Sequence, residues 1–245
     1  MKRAIASVAL AATLAVAAAA TRPLWMAPDA AQAQAWLHDA ADRRDAGAEG
    51  SLARWSARGD ASARHAYAAL LAHRADAGSR RRLEQVLGDG ADAGDAVAAT
   101  QLAELLASPG AGASRDDARI ARLLAQGSAG HVPAASRLLG LQALDAAHGA
   151  PDAARAAALI GEAANQGDVP AMFLYANLLR AGQGVPRDDA RALALYQAGA
   201  DADYAPAIQA LAIAWRYGEL GLQADASQSR LMDHEAAEAL AHAAH

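Results

Sequence analysis

Cysteine is absent from this chain of 245 residues, lysine occurs only at Lys2, and phenylalanine only at Phe173. The missing cysteine excludes disulfides, thiol catalysis, cysteine-ligated metal sites and a lipid-modified N-terminal cysteine. With its only lysine at position 2, the chain cannot hold a Ser-x-x-Lys catalytic site, and neither Ser108 nor Ser136 sits in a nucleophile signature. A formal net charge of −5 lacks the basic field that phosphate backbones require, which argues against a nucleic-acid partner. No His-Glu-x-x-His spacing occurs, and Gly182-Gln183-Gly184 lacks the longer fingerprint of a phosphate-binding loop. Aromatic residues make up 4% of the chain, too few for a core built on large rings.

What fills the space is alanine, at 77 positions. Alanine has the best intrinsic helix propensity, and its small side chain lets helices approach closely while gaining less per residue than leucine. The composition therefore predicts many thin helix–helix contacts in place of one thick core. At the N-terminus, Lys2 and Arg3 precede the 17-residue apolar run Ala4–Ala20, closed by the small residues Ala18-Ala19-Ala20. This is the layout of a secretory signal peptide spanning residues 1–20, cleaved near Ala20 or, as a second choice, after Ala33. The alternative is an uncleaved helix holding the protein in the inner membrane, although the run is at the short limit for a span. Residues 21–29, with Pro23 and Pro28, read as an irregular lead-in.

Internal periodicity sets the architecture. A Gly-Asp step or its equivalent recurs at Gly59-Asp60, Gly94-Asp95, Gly130-His131, Gly167-Asp168 and Asp203-Tyr204, with spacings of 35, 36, 37 and 36 residues. Behind each comes Ala-x-x-x-apolar-small-x-x-apolar, led by Ala63, Ala98, Ala135, Ala171 and Ala207. Alanine matches come cheaply in this chain, so other recurrences weigh more. Arg115-Asp116-Asp117-Ala118-Arg119 returns as Arg187-Asp188-Asp189-Ala190-Arg191, and Val132-Pro133-Ala134 as Val169-Pro170-Ala171. Each period reads as two helices. The leading Ala and the positions 4, 5 and 8 after it share one face of the first helix. The second begins at an Asp, which suits a helix N-terminus by capping and by the macrodipole. One such hairpin cannot bury its apolar face alone, whereas stacked hairpins can, so the expected fold is an all-α solenoid over residues 30–245, with capping helices at both ends.

The most complete copy carries Ala171, Tyr175, Ala176, Leu179, Gly182, Gly184, Val185, Asp188, Ala192, Leu195, Tyr196 and Ala200. This pattern resembles the Sel1-like repeat family, relatives of tetratricopeptide repeats. The next copy keeps Ala207, Leu211, Ala212, Trp215 and Gly218, with Gly221-Leu222 standing for the Gly-Val pair. The three earlier copies lack that element. The resemblance implies a right-handed superhelix that binds a protein without catalysis, and no cofactor.

In related arrays the positions 2, 6 and 9 after the leading Ala line a concave groove. Here they supply Arg137 and Leu141, then Phe173, Asn177 and Arg180, then Gln209, Ile213 and Arg216. Aromatic residues and Arg are common interface anchors. The earliest copies offer His65, Ala69, Ala72 and Thr100, Glu104, Ala107. The expected function is an adaptor or regulatory scaffold in the periplasm, binding a protein partner through this face, with no membrane insertion once the signal is cleaved. Two other readings stand beside it. One is a metal-dependent or enzymatic module using His234, Glu235, Glu238, His242 and His245, against which stands an ordinary polar terminal helix. The other is the same adaptor anchored in the inner membrane. The acid pairs Asp116-Asp117 and Asp188-Asp189 recur at the architectural period, and capping explains them better than acid–base chemistry does.

Overall fold

The structure, a computed structural model, describes residues 27–74, 76–108, 116–145 and 150–243. The expected signal segment, residues 1–20, lies outside the described residues. Twelve helices are described: α1 (Ala30–Asp42), α2 (Ala46–Ala57), α3 (Ala61–Ala72), α4 (Ala77–Asp92), α5 (Ala96–Ala107), α6 (Asp117–Ala129), α7 (Pro133–Leu144), α8 (Ala153–Asn165), α9 (Val169–Ala181), α10 (Asp189–Asp201), α11 (Ala205–Tyr217) and α12 (Ala226–Ala243). No strand occurs among the described residues. The chain divides into two compact units at Leu123/Leu124, within α6. In the first, α1 packs on α2 and α3, and α3 to α5 continue pairwise. In the second, each helix from α7 to α12 packs on the next.

Aspartate starts nearly all of these helices. Asp29, Asp45, Asp60, Asp76, Asp95, Asp152, Asp168 and Asp188 accept hydrogen bonds from backbone N–H groups of the first turn. Asp116 does so for α6 and Asp225 for α12. The exceptions are α7 and α11, which begin at Val132 and Tyr204 with no side-chain cap. There Pro133 and Pro206 remove one of the orphan donors. The N–H groups of Ala135 and Ala207 turn back to the carbonyls of Val132 and Tyr204, at 3.0 and 2.9 Å.

The joint between repeats is built five times over. Gly59, Gly94, His131, Gly167 and Asp203 are left-handed, with φ of 90°, 88°, 58°, 92° and 54°. The residue after each donates its N–H to the carbonyl five positions back: Asp60 to Trp55, Asp95 to Gly90, Val132 to Gly127, Asp168 to Ala163 and Tyr204 to Gly199. This is the Schellman ending of one helix, and its last residue also begins the next helix. The third joint departs from the sequence register. The spacing places Gly130 in the turn, but His131 is the left-handed residue and Val132 takes the cap position. The fixed point is the leading alanine, three residues after the cap in all five repeats. Ala63, Ala98, Ala135, Ala171 and Ala207 are each 0% exposed. The fit leaves no room opposite: a Cβ on Gly90 would lie 2.7 Å from that of Ala98, and one on Gly199 2.8 Å from that of Ala207.

In the first unit this joint carries an ion pair. Asp95 caps α5, accepts a 2.7 Å hydrogen bond from Arg64 Nη1, and lies 2.9 Å from His65 Nε2. The Arg64 and Asp95 side chains are only 5% and 11% exposed. Burial pushes the Asp95 carboxyl up, but the Ala98 N–H, the Arg64 hydrogen bond and the charge of His65 outweigh it and hold the group below the ordinary aspartate value. A carboxyl depressed in the folded state stabilises the fold above its unfolded pKa, and that contribution is lost as pH falls through the folded value. Asp95→Asn is therefore expected to lower stability at pH 7. The gap to the wild type should shrink below about pH 4 and close once the wild-type carboxyl is itself protonated. Urea unfolding at a series of pH values checks this; a gap independent of pH would contradict it.

Candidate partner-binding face

The first helices of the second unit, α7, α9 and α11, carry all eight candidate residues. Position 2 after the leading Ala turns toward the next repeat. Arg137 Nε lies 3.0 Å from Oδ1 of Asp168, the cap of α9. The Phe173 ring sits 5.9 Å from the rings of Tyr196 and Tyr204, the latter being the cap residue of α11. In the first unit His65 reaches the Asp95 cap in the same way. Arg137 and Phe173 thus act mainly in the joint, while Gln209 at the same position is exposed.

Position 6 holds three environments. Leu141 is half-buried. Asn177 accepts a 2.7 Å hydrogen bond from the Tyr196 hydroxyl. Ile213 is 42% exposed, although it is a large apolar side chain. Position 9 gives two arginines with carboxylate partners. Arg180 pairs with Glu219 at 3.0 Å, and Arg216 with Asp233 at 2.6 Å while Nε of Arg216 donates to Ser229 at 3.2 Å. All four charged groups of these pairs are partly solvated, so the pairs add little stability and are open to exchange for an outside carboxylate. Beside Arg180, Arg187 grips Asp189 with two hydrogen bonds of 2.9 and 2.8 Å. That contact holds the Asp189 carboxyl below its usual value. Arg180, Arg187, Asp189 and Glu219 ring an open cleft of about 480 Å³ with Gly218 and Gly221.

Sequence reasoning missed Tyr217. It is 68% exposed and lies one helical turn from Ile213, a spacing of four that was available in the sequence. Gln209, Ile213 and Tyr217 thus form one stripe along α11, with Arg216 beside it.

The histidine-bearing helix α12 shows a contact of 3.4 Å between His234 and Glu238, both exposed. Among the described residues no three His, Cys, Asp or Glu side chains converge as a metal site. His245 lies outside them. No helix among the described residues is long and apolar enough to cross a membrane.

Solved structures share this arrangement. The crystal structure of a Sel1 repeat protein from Oxalobacter formigenes superposes with a TM-score of 0.70 at 19% identity, covering 84% of this chain and 84% of that one. The chain has the Sel1-like repeat fold. A protective antigen present in uropathogenic Escherichia coli strains, described as displaying an SLR fold, matches with a TM-score of 0.69 at 19% identity. That match covers 86% of this chain and 46% of the antigen, so the chain spans less than half the antigen's length. No protein-family model matches the sequence, and no curated protein does. The Sel1-like arrangement accounts for the repeated Schellman joints and for the buried leading alanines. It leaves the outward residues of the first helices free to differ from repeat to repeat.

Proposed function

We propose that this chain is a non-catalytic, protein-binding scaffold of the bacterial cell envelope, and that it engages its partner through the first-helix face of the second unit. The observation that carries this reading is the exposed stripe on α11. Isolated apolar residues on a surface need no explanation, but Ile213 and Tyr217 stand one turn apart beside a solvated Arg, the composition of an interface anchor. The Sel1-like fold supports it, because stacked helix pairs bury their facing sides and leave this one for recognition.

A photo-crosslinking amino acid at Tyr217 is expected to give a discrete covalent adduct with another protein in intact cells. The same residue at Gln197, exposed on the second helix α10, should give none. Equal labelling at both positions, or at neither, would remove the α11 stripe as the docking site.

Export rests on the Lys2-Arg3 and Ala4–Ala20 pattern. Cleavage near Ala20 suits the fold better than cleavage after Ala33, which would remove the Asp29 cap and the first turn of α1, including Ala33 at 1% exposure. The exported protein should therefore begin near Thr21, as N-terminal sequencing of the periplasmic fraction would read.

A further inference from the structure

Ile213 and Tyr217 belong to a wider surface that α12 completes. Arg216, beside them on α11, reaches across to α12 and donates a 2.6 Å hydrogen bond to Asp233. Ala237 and Leu240 follow Asp233 by four and seven residues, so they share its face of α12. Both are exposed, Leu240 at 52%. One edge of the second unit therefore presents Ile213, Arg216 and Tyr217 from α11 and Asp233, Ala237 and Leu240 from α12. Three of the five exposed large apolar side chains among the described residues lie on it.

One repeat earlier the same edge is covered. There α10 packs on α11, and Phe173 of α9 reaches Tyr204 at the start of α11. Tyr196, eight residues after the cap of α10, is 1% exposed. Eight residues after Asp225, the cap of α12, stands Asp233, and its side chain is 48% exposed. Among the described residues nothing is laid on the edge of α11 and α12. Its apolar side chains stand where the repeat-to-repeat contact of the stack would continue.

We propose that this edge docks a second copy of the chain about a two-fold axis, each Arg216 exchanging its own Asp233 for that of the other copy. The inference rests on the protein-binding reading of the α11 stripe and names its partner. A two-fold contact sets a patch against itself, so the patch must be self-complementary. This edge is: Arg216 and Asp233 carry both signs side by side, and Arg230 and Glu219 add one charge of each sign near the loop that joins the helices. The internal pair is half-solvated, at 47% and 48%, so exchanging it costs little. An edge made for a strongly acidic or basic partner would carry one sign. Head-to-tail docking would need an apolar face on the first unit's leading helix. There α1 exposes Ala31, Gln34, His38 and Asp42, and none of the exposed large apolar side chains among the described residues lies on it. At about 1.5 Å per residue and about 10 Å of width, the 13 residues of α11 and the 18 of α12 make a face of about 450 Å² in plan. Two such faces, with side-chain relief, reach the lower limit of about 1,000 Å² for a specific contact, so the dimer is weak and concentration-dependent.

The test reads the exchange directly. In sedimentation equilibrium, the protein as purified from cells should pass from one chain to two as its concentration rises. Arg216→Asp makes both groups of the pair acidic, and Asp233→Arg makes both basic. Each variant alone should self-associate at least about ten-fold more weakly, because like charges then face each other across the contact. Mixed in equal amounts, the two variants should pair with each other about as tightly as the wild type with itself, since every acid again meets a base. Neither swap threatens the fold, because the pair is solvated and adds little stability. Tyr217→Glu, at a side chain 68% exposed, should be monomeric through the cost of burying its charge. A wild type still monomeric at about 0.5 mM overturns the proposal. So do single variants that associate like the wild type, or a mixture that associates no better than its components. The crosslink at Tyr217 separates this proposal from the reading beneath it. An adduct with the mass of two chains supports both. An adduct with a different protein sinks the second copy and keeps the α11 stripe, and no adduct removes both.

Discussion

Replacing Tyr196 by alanine is expected to destabilise the second unit by about 3–5 kcal/mol, the range for removing a buried aromatic side chain. Tyr196 is 1% exposed, the largest side chain so fully enclosed among the described residues. Its ring meets Phe173, and its hydroxyl is bound to Asn177, so one residue ties the second helix α10 to the first helix α9. In a core built largely of alanine and leucine few neighbours can move inward to fill the gap, which places the cost toward the upper end. Tyr196→Phe isolates the hydroxyl. It should cost about 1 kcal/mol, because Asn177 Oδ1 loses its donor while the ring stays. Urea unfolding measures both values. Hydrogen exchange then locates them: amides of α9 to α12 should lose protection in Tyr196→Ala, while those of α1 to α5 keep theirs, because each helix pair contacts only its neighbours. Loss of protection across both units in step would show that they unfold as one.

The period, the helix pairs and the solenoid class were legible because a single constraint is written five times. An alanine that must vanish into the joint and a left-handed residue between helices leave a pattern that survives divergence, and an Asp caps the next helix at three of the five joints. Glycine was the wrong marker at the third joint, since His131 adopts the left-handed conformation and Ala135 alone holds the register. The candidate face was legible only as a set of positions. Whether Arg137 or Phe173 points at solvent or into the joint depends on residues 31 positions away, Asp168 and Tyr204, whose proximity is a product of stacking. The division at Leu123/Leu124 has no counterpart in the periodicity.

The second large effect is expected at Gly184, where alanine should cost about 3 kcal/mol or more. Two causes add. At φ 72° any side chain pays the left-handed penalty of about 1–2 kcal/mol. A Cβ at this site would also collide with the carbonyl of Ala153 at the start of α8, which is backbone and cannot rotate away. Relieving it means moving the loop off the preceding repeat, with an overpacking cost of about 1–3 kcal/mol. Gly182 provides the control within the same loop. It is left-handed at φ 65°, but a Cβ there would meet nothing nearer than 3.6 Å, so Gly182→Ala should show the conformational penalty alone. Gly221, which the sequence aligns with Gly184, has open space around it at φ 78° and should behave like Gly182. The two glycines of the Gly-x-Gly-Val loop therefore have different tasks. The first ends α9, and the second lets the loop lie against the repeat before it, with Val185 packed onto the core behind it. Equal losses in Gly184→Ala and Gly182→Ala, read from urea midpoints, would mean that the loop yields freely and that the Ala153 contact does not fix one repeat on the next.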